Sequence, residues 1–166
     1  IELYEKITGL EFVKEKVKIP VIAAGGIANG RQMLAAIVLG ASAVQVGSRF
    51  VASEEASSHI NFKNAVINSK EGDTMLAMKE LTPVRLLNNN FFKQVVEAEK
   101  NGADRSAMEA LLGRGRAKKG MFEGNMEEGE LEIGQVSALL NNIQPAAIIV
   151  EEIWQEYKQA LELCCQ

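Results

Sequence analysis

The chain lacks the sequence loops that most nucleotide-binding folds depend on. There is no lysine in a GxxxxGK[ST] setting and no GxGxxG, so folds built on those motifs are disfavoured. No apolar run reaches about 18 residues, and no membrane-spanning helix is expected. The formal net charge is −4 with no basic stripe, which argues against nucleic acid as a partner. Cysteine is confined to one adjacent pair, Cys164-Cys165. Adjacent cysteines rarely bridge each other, and nothing nearby has metal-ligand spacing. Free thiols in a tail, a reducing cytoplasm and no metal centre are therefore expected. The rest of the composition, 47% hydrophobic and 24% charged, is that of an ordinary globular protein.

What is present is concentrated in residues 21–50, VIAAGGIANGRQMLAAIVLGASAVQVGSRF. Residues 21–24 and 43–46 read as buried strands, each followed by a small-residue turn: Gly25-Gly26 after the first, Gly47-Ser48 after the second. Residues 31–39 between them read as a helix. A strand–helix–strand unit of this length favours a parallel pair. Two glycine turns at the carboxyl ends of neighbouring parallel strands let backbone N–H groups face an anion, and phosphate is the guest they suit. Gly25, Gly26 and Gly47 are expected to permit close backbone approach and positive φ. Ser48 adds a hydroxyl donor. Arg49 either adds charge or pairs with a carboxylate such as Glu54 or Glu55.

The run from Pro20 to His59 resembles the C-terminal half of the nitronate monooxygenase family, the 2-nitropropane dioxygenases, which includes the FMN-dependent enoyl-acyl-carrier-protein reductase II enzymes. The resemblance continues through Asp73-Thr74, Pro83-Val84-Arg85 and Asn88. It then takes in Lys119-Gly120-Met121, Glu123-Gly124, Glu128-Gly129-Glu130, Gly134-Gln135-Val136-Ser137 and Pro145-Ala146-Ala147. It implies an α/β fold: the C-terminal part of a (β/α)8 TIM barrel with a smaller, mainly helical second domain. Residues 1–57 would be the last two strand–helix units, 58–134 the substrate-side domain, and 135–166 a segment and helix returning to the barrel. It also implies FMN held by Gly25, Gly26, Gly47 and Ser48, with Gln135 near the flavin. The implied reaction is oxidation of a nitronate by oxygen or, in the reductase branch, NAD(P)H-dependent reduction of an enoyl thioester. A non-catalytic phosphate-binding piece is the reading from another class. A small-molecule substrate is implied, and a homo-oligomer is left open.

Length sharpens this. A complete barrel takes about 200 residues or more, and this chain has 166 with barrel strands readable only before residue 50. The expectation is a C-terminal piece of a longer protein. The family's proton-transfer motif has no match here, so no catalytic residue is named. His59, the only histidine, lies outside that motif and is expected to serve structure.

The remaining elements are legible in outline. A helix is expected over 3–17, with Leu3, Ile7, Leu10, Val13 and Val17 on one face. Residues 49–53 should lead into a helix carrying Glu54 and Glu55. Helices are expected over 61–68 and 91–100, the latter stopped by Asn101-Gly102. Asp104 or Ser106 should start another, the second with Glu109 in capping-box spacing. Residues 74–78 suit a short strand, 113–134 a glycine-rich loop. The last helix should run over 145–163 with Ile149, Ile153, Trp154, Tyr157 and Leu161 as its packing face. Glu127, Glu128, Glu130 and Glu132 read as a solvated charge run. Gln135 and Ser137 either contact the flavin or line the substrate pocket, or Ser137 caps a helix. Met121 and Phe122 either cover an apolar substrate or anchor their loop. Arg85 either meets a phosphate or substrate carboxylate or makes an ordinary ion pair, the second being preferred.

Overall fold

The computed structural model describes residues 2–164, with side chains from residue 9 onward. The chain begins with α1 (Glu2–Lys16), β1 (Ile22–Ala24), α2 (Gly30–Val38) and β2 (Ala43–Gln45). β1 and β2 pair in parallel, with Ile22, Ala23 and Ala24 opposite Ala43, Val44 and Gln45. α2 starts where the sequence supplies its cap. Asn29 Oδ1 accepts from Gln32 N at 2.9 Å, and Gln32 Oε1 accepts from Ala28 N at 2.8 Å. Two donors that a helix start leaves unmade are thereby satisfied.

Ala23 and Val44 turn toward the helices and pack on Ile27, Ala36 and Ala41. The opposite face carries Ile22, Ala24, Ala43 and Gln45, all exposed, and Ile22 is 60% accessible. An open apolar groove of 350 Å³ lies among α1, β1 and α2, lined in part by Leu10, Val13, Val21 and Ile27. Val13 is exposed in that groove rather than buried, and Phe12 is 63% accessible. The side chains of Leu3 and Ile7 lie outside the described residues, as does Cys165.

After β2 comes a one-turn α3 (Ser48–Val51), which stops before Glu54 and Glu55; those two sit in turns, not on a helix as expected. α4 (Ile60–Ile67) follows, capped by His59, whose Nδ1 accepts from Asn61 N at 3.1 Å. Its inward face holds Phe62 and Val66 and also Lys63, which the pattern gave no reason to bury. Lys63 Nζ donates to the Ser53 and Glu54 carbonyls at 2.6 and 3.1 Å, so its charge is satisfied by the turn after α3.

The next segment forms β3 (Thr74–Ala77) and β4 (Val84–Leu87), an antiparallel hairpin. β4 went unread because its four residues follow Pro83 without polar alternation. Residues 131–133 add to its edge: Leu87 N donates to Leu131 O and Ile133 N to Arg85 O. α5 (Asn90–Lys100) is capped by Asn89 and α6 (Arg105–Leu112) by Asp104. Ser106 and Glu109 do not form a capping box; Glu109 pairs instead with Arg105 at 2.9 Å. Arg116 gathers the end of α6, donating to Leu112 O, Leu111 O and Glu128 O over the Phe91 ring.

The chain returns through a 3-10 turn at 135–139 to α7 (Ala146–Cys164). Cys164 is an exposed free thiol. α7 packs along α2, and its inward residues are Ile149 and Ile153. Trp154 and Leu161 do not share that face; both are exposed, with Trp154 stacked on Tyr157 at 5.3 Å. The helix axes come close because Gly30 has no side chain. A Cβ there would collide with backbone atoms of Ile153, Glu156 and Tyr157.

Gly30→Ala is expected to cost about 1–3 kcal/mol, the range for overpacking a filled contact, because backbone cannot swing aside. Denaturant unfolding of the variant against the parent checks this; unchanged stability would mean that α2 and α7 cross with more clearance.

Candidate functional site

The register of the parallel pair decides where the glycine turns lie. Ala24 stands opposite Gln45, so Gly25-Gly26 and Gly47-Ser48 leave the same end of adjacent strands. Neighbouring strands run about 4.8 Å apart, within the reach of one phosphate group. Gly25 and Gly26 have φ of 84° and 74°, values that side chains strongly disfavour. Gly47 is different. Its φ is −108°, so the expected positive φ is not found there. A Cβ there would meet nothing within 4 Å, so neither backbone conformation nor packing within the described residues requires glycine at this position.

Ser48 is oriented from a distant part of the chain. Gly134 N donates to Ser48 Oγ at 3.2 Å. With its oxygen accepting from Gly134, the hydroxyl proton can be donated elsewhere. A Cβ on Gly134 would lie 2.7 Å from that oxygen, so Gly134 must stay bare for the contact to form. Gln135 therefore begins its 3-10 turn beside the second glycine turn, exposed. Gln45 is the polar residue that sequence reasoning passed over. It is exposed on the open face of β2, level with Ala24 and two residues before Gly47. The signal was available: a glutamine in an otherwise apolar strand, at the end where the turns lie.

Arg49 does not reach the turns and does not pair with Glu54 or Glu55. Its Nη2 lies 2.8 Å from Glu152 Oε2 and its Nη1 donates to Asn142 at 3.0 Å.

These features meet the sequence comparison at one point. The family model for nitronate monooxygenase matches residues 3–156. The chain belongs to the nitronate monooxygenase family. It is 35% identical over 151 residues to a probable nitronate monooxygenase of Staphylococcus aureus, covering 90% of this chain and 42% of that protein. Among solved structures, FabK from Thermotoga maritima superposes with a TM-score of 0.88 at 38% identity, over 96% of this chain and 50% of that one. A nitroalkane oxidase from Streptomyces ansochromogenes gives 0.78 at 30% identity, over 95% and 45%. The chain thus spans about half the length of these relatives.

The other family motifs serve local structure in this member. Arg85 donates to the Thr74 carbonyl at 2.7 Å. Met121 packs on the core around Phe62 and accepts from His59 N through its carbonyl, while Phe122 is exposed. His59 lies against Gly124, where a Cβ would strike the imidazole. Ser137 is not a helix cap. It is fully buried inside the 3-10 turn, and its Oγ has no hydrogen-bond partner.

The acidic run is only partly solvated. Glu128 pairs with Arg116 and accepts from Asn90 at 2.5 Å. Glu130 is buried, 7% accessible. Burial pushes its carboxyl above the ordinary 4.5, nearby Glu132 adds to the rise, and Arg116 opposes it. The folded state therefore holds this proton more tightly than the unfolded chain. Stability from this group is greatest below pH 4.5 and falls as pH rises through the folded value. Glu130→Gln should be more stable than the parent at pH 8, with the advantage vanishing near pH 4. Urea midpoints at the two pH values test this; an advantage equal at both would remove charge burial as its cause.

Proposed function

We propose that the protein carrying this chain is an FMN-dependent oxidoreductase that oxidises alkyl nitronates with molecular oxygen. The observation that carries the proposal is the pair of glycine turns brought side by side by the β1–β2 register, with Ser48 oriented by Gly134. Three features support a phosphate in this cradle. Gly25 and Gly26 adopt left-handed backbone, Gly47 opens onto free space, and a hydroxyl is aimed by a fixed N–H. In this reading the N–H groups of both turns and the Ser48 hydroxyl hold the FMN phosphate. Gln45 and Gln135 stand beside it as amides suited to the polar edge of a flavin. When bound, FMN supplies the two-electron chemistry.

The fold supports the same reading. The exposed strand face of Ile22, Ala24, Ala43 and Gln45 suits the interior of a (β/α)8 barrel, closed by strands from the half of the family's length that this chain does not span. Residues 1–57 would then be the last strand–helix units, 58–134 a smaller domain over the substrate, and 135–166 the return to the barrel. The substrate walls and the proton-transferring group would come largely from outside this chain. A second reading, reduction of an enoyl thioester with NAD(P)H, uses the same cradle. The Pro83–Arg85 and Gly134–Ser137 segments resemble the family as a whole, which includes this branch, so both reactions stay with the same site.

Replacing Gly25 or Gly47 with valine in the full-length protein should weaken FMN binding about tenfold or more, since blocked backbone approach removes charge-assisted hydrogen bonds. Flavin fluorescence titration is the measurement, and unchanged affinity in both variants would sink the cradle. For the reaction, a nitronate should be consumed with oxygen uptake in the absence of NAD(P)H. Oxidation of NAD(P)H by an enoyl thioester, with no nitronate turnover, would instead establish the second reading.

A further inference from the structure

Each glycine turn is fastened to α7 by its own carboxylate. Glu152 and Glu156 stand one helical turn apart, on neighbouring positions of the helix surface. Glu152 Oε2 accepts from Arg49 Nη2 at 2.8 Å and from Gln144 Nε2 at 2.5 Å. Arg49 is the second residue after Gly47, and its side chain is only 11% accessible. Glu156 Oε2 accepts from Gly30 N at 2.8 Å. Gly30 is the first residue of α2 and the fourth after Gly26. α7 itself is pinned at its start, where Ala146 N donates to Glu55 at 2.8 Å.

The turns need such fastening. The ladder between β1 and β2 is three residue pairs long and ends at Ala24 and Gln45. Beyond it, nothing in the ladder sets the distance between the turns. α3 has four residues, none of them buried, with Val51 packed on the Phe62 cluster, so side-chain packing holds it less firmly than α2. α2 is held against α7 by the bare Gly30 contact, which sets distance, whereas the Glu156 bond to the first N–H of the helix sets rotation. The Arg49–Glu152 pair does the same for α3. It also keeps the guanidinium on α7, so that Arg49 orients the turn and leaves the phosphate to N–H and hydroxyl donors.

We propose that Glu152 and Glu156 are positioning residues that hold the two glycine turns at the spacing one phosphate requires. This rests on the FMN reading above. Beyond that reading, two carboxylates of α7 that bond Gly30 N and Arg49 would control affinity for the phosphate alone.

The test compares FMN with riboflavin, which lacks the phosphate, on full-length apoprotein carrying Glu152→Ala, Glu156→Ala or Glu156→Gln. Either alanine variant should lower FMN affinity about tenfold, the loss of one charge-assisted hydrogen bond, and leave riboflavin affinity within about twofold. Glu156→Gln keeps an oxygen for Gly30 N and should retain most of the preference for FMN. A general loss of fold would lower both affinities together and would overturn the proposal. So would a preference for FMN that survives both alanine substitutions. A parent that binds FMN no better than riboflavin would refute the phosphate cradle itself, an outcome separate from failure of the clamp.

Discussion

The close crossing of α2 and α7 at Gly30 is the constraint on which the arrangement depends. Backbone meets backbone there, with no side chain between them. Ile149 and Ile153 fill the space on one side, and Glu156 reaches the first N–H of α2 on the other. Because α2 begins four residues after Gly26, the position of the first turn is tied to this contact. The second turn is linked to the same helix through Arg49 and Glu152. A helix near the end of the chain thereby governs geometry set up within the first fifty residues. Such a contact is sequence-remote, and it needs a glycine for reasons no local pattern discloses.

Charged groups inside the molecule follow a second rule. The cations Lys63 and Arg116 are placed where helix ends or irregular backbone offer carbonyls. Lys63 is buried on an otherwise apolar helix face, yet its ammonium bonds the two carbonyls that follow α3. Arg116 spends its guanidinium on three carbonyls at the end of α6 and the loop beside it. Buried charge is tolerated when its hydrogen-bonding capacity is filled, and loops leave carbonyls that helices and sheets do not. The apolar cluster around Phe62 and Val66 joins Ala28 and Ala52 to Leu87, Leu131 and Ile133, so the parallel pair and the hairpin are linked by apolar packing as well as by these polar contacts, and a second cluster surrounds Phe91 and Val95.

The parallel pair has one covered face and one open face. Ala23 and Val44 pack on helices, while Ile22, Ala24 and Ala43 stay exposed. A parallel sheet is ordinarily covered on both faces, and this chain spans about half the length of its relatives. In the barrel proposed above, the open face and the apolar groove beside β1 would be covered by further strands and helices. The nitronate monooxygenase family assignment and this half-covered sheet support the same proposal from independent directions.

The sequence by itself determined the local elements and the chemistry of the turns. Alternation of apolar runs with Gly25-Gly26 and Gly47-Ser48 marks the strand–turn–helix order, and the caps at Asn101-Gly102 and Asp104 were readable because they act within four residues. Tertiary structure alone decided which residues meet. Gly134 reaches Ser48 across 86 positions, and Glu152 reaches Arg49 across 103. The burial of Lys63 and Glu130, the exposure of Trp154, and the idle hydroxyl of Ser137 were likewise set by neighbours from other segments. Gly47 has φ of −108° and open space where a Cβ would stand, so the positive φ that its place after a strand suggests is not used there. Periodicity and capping are short-range effects encoded within a few residues. Burial and pairing across the chain depend on where the backbone has been carried, and that is fixed only once α7 lies on α2.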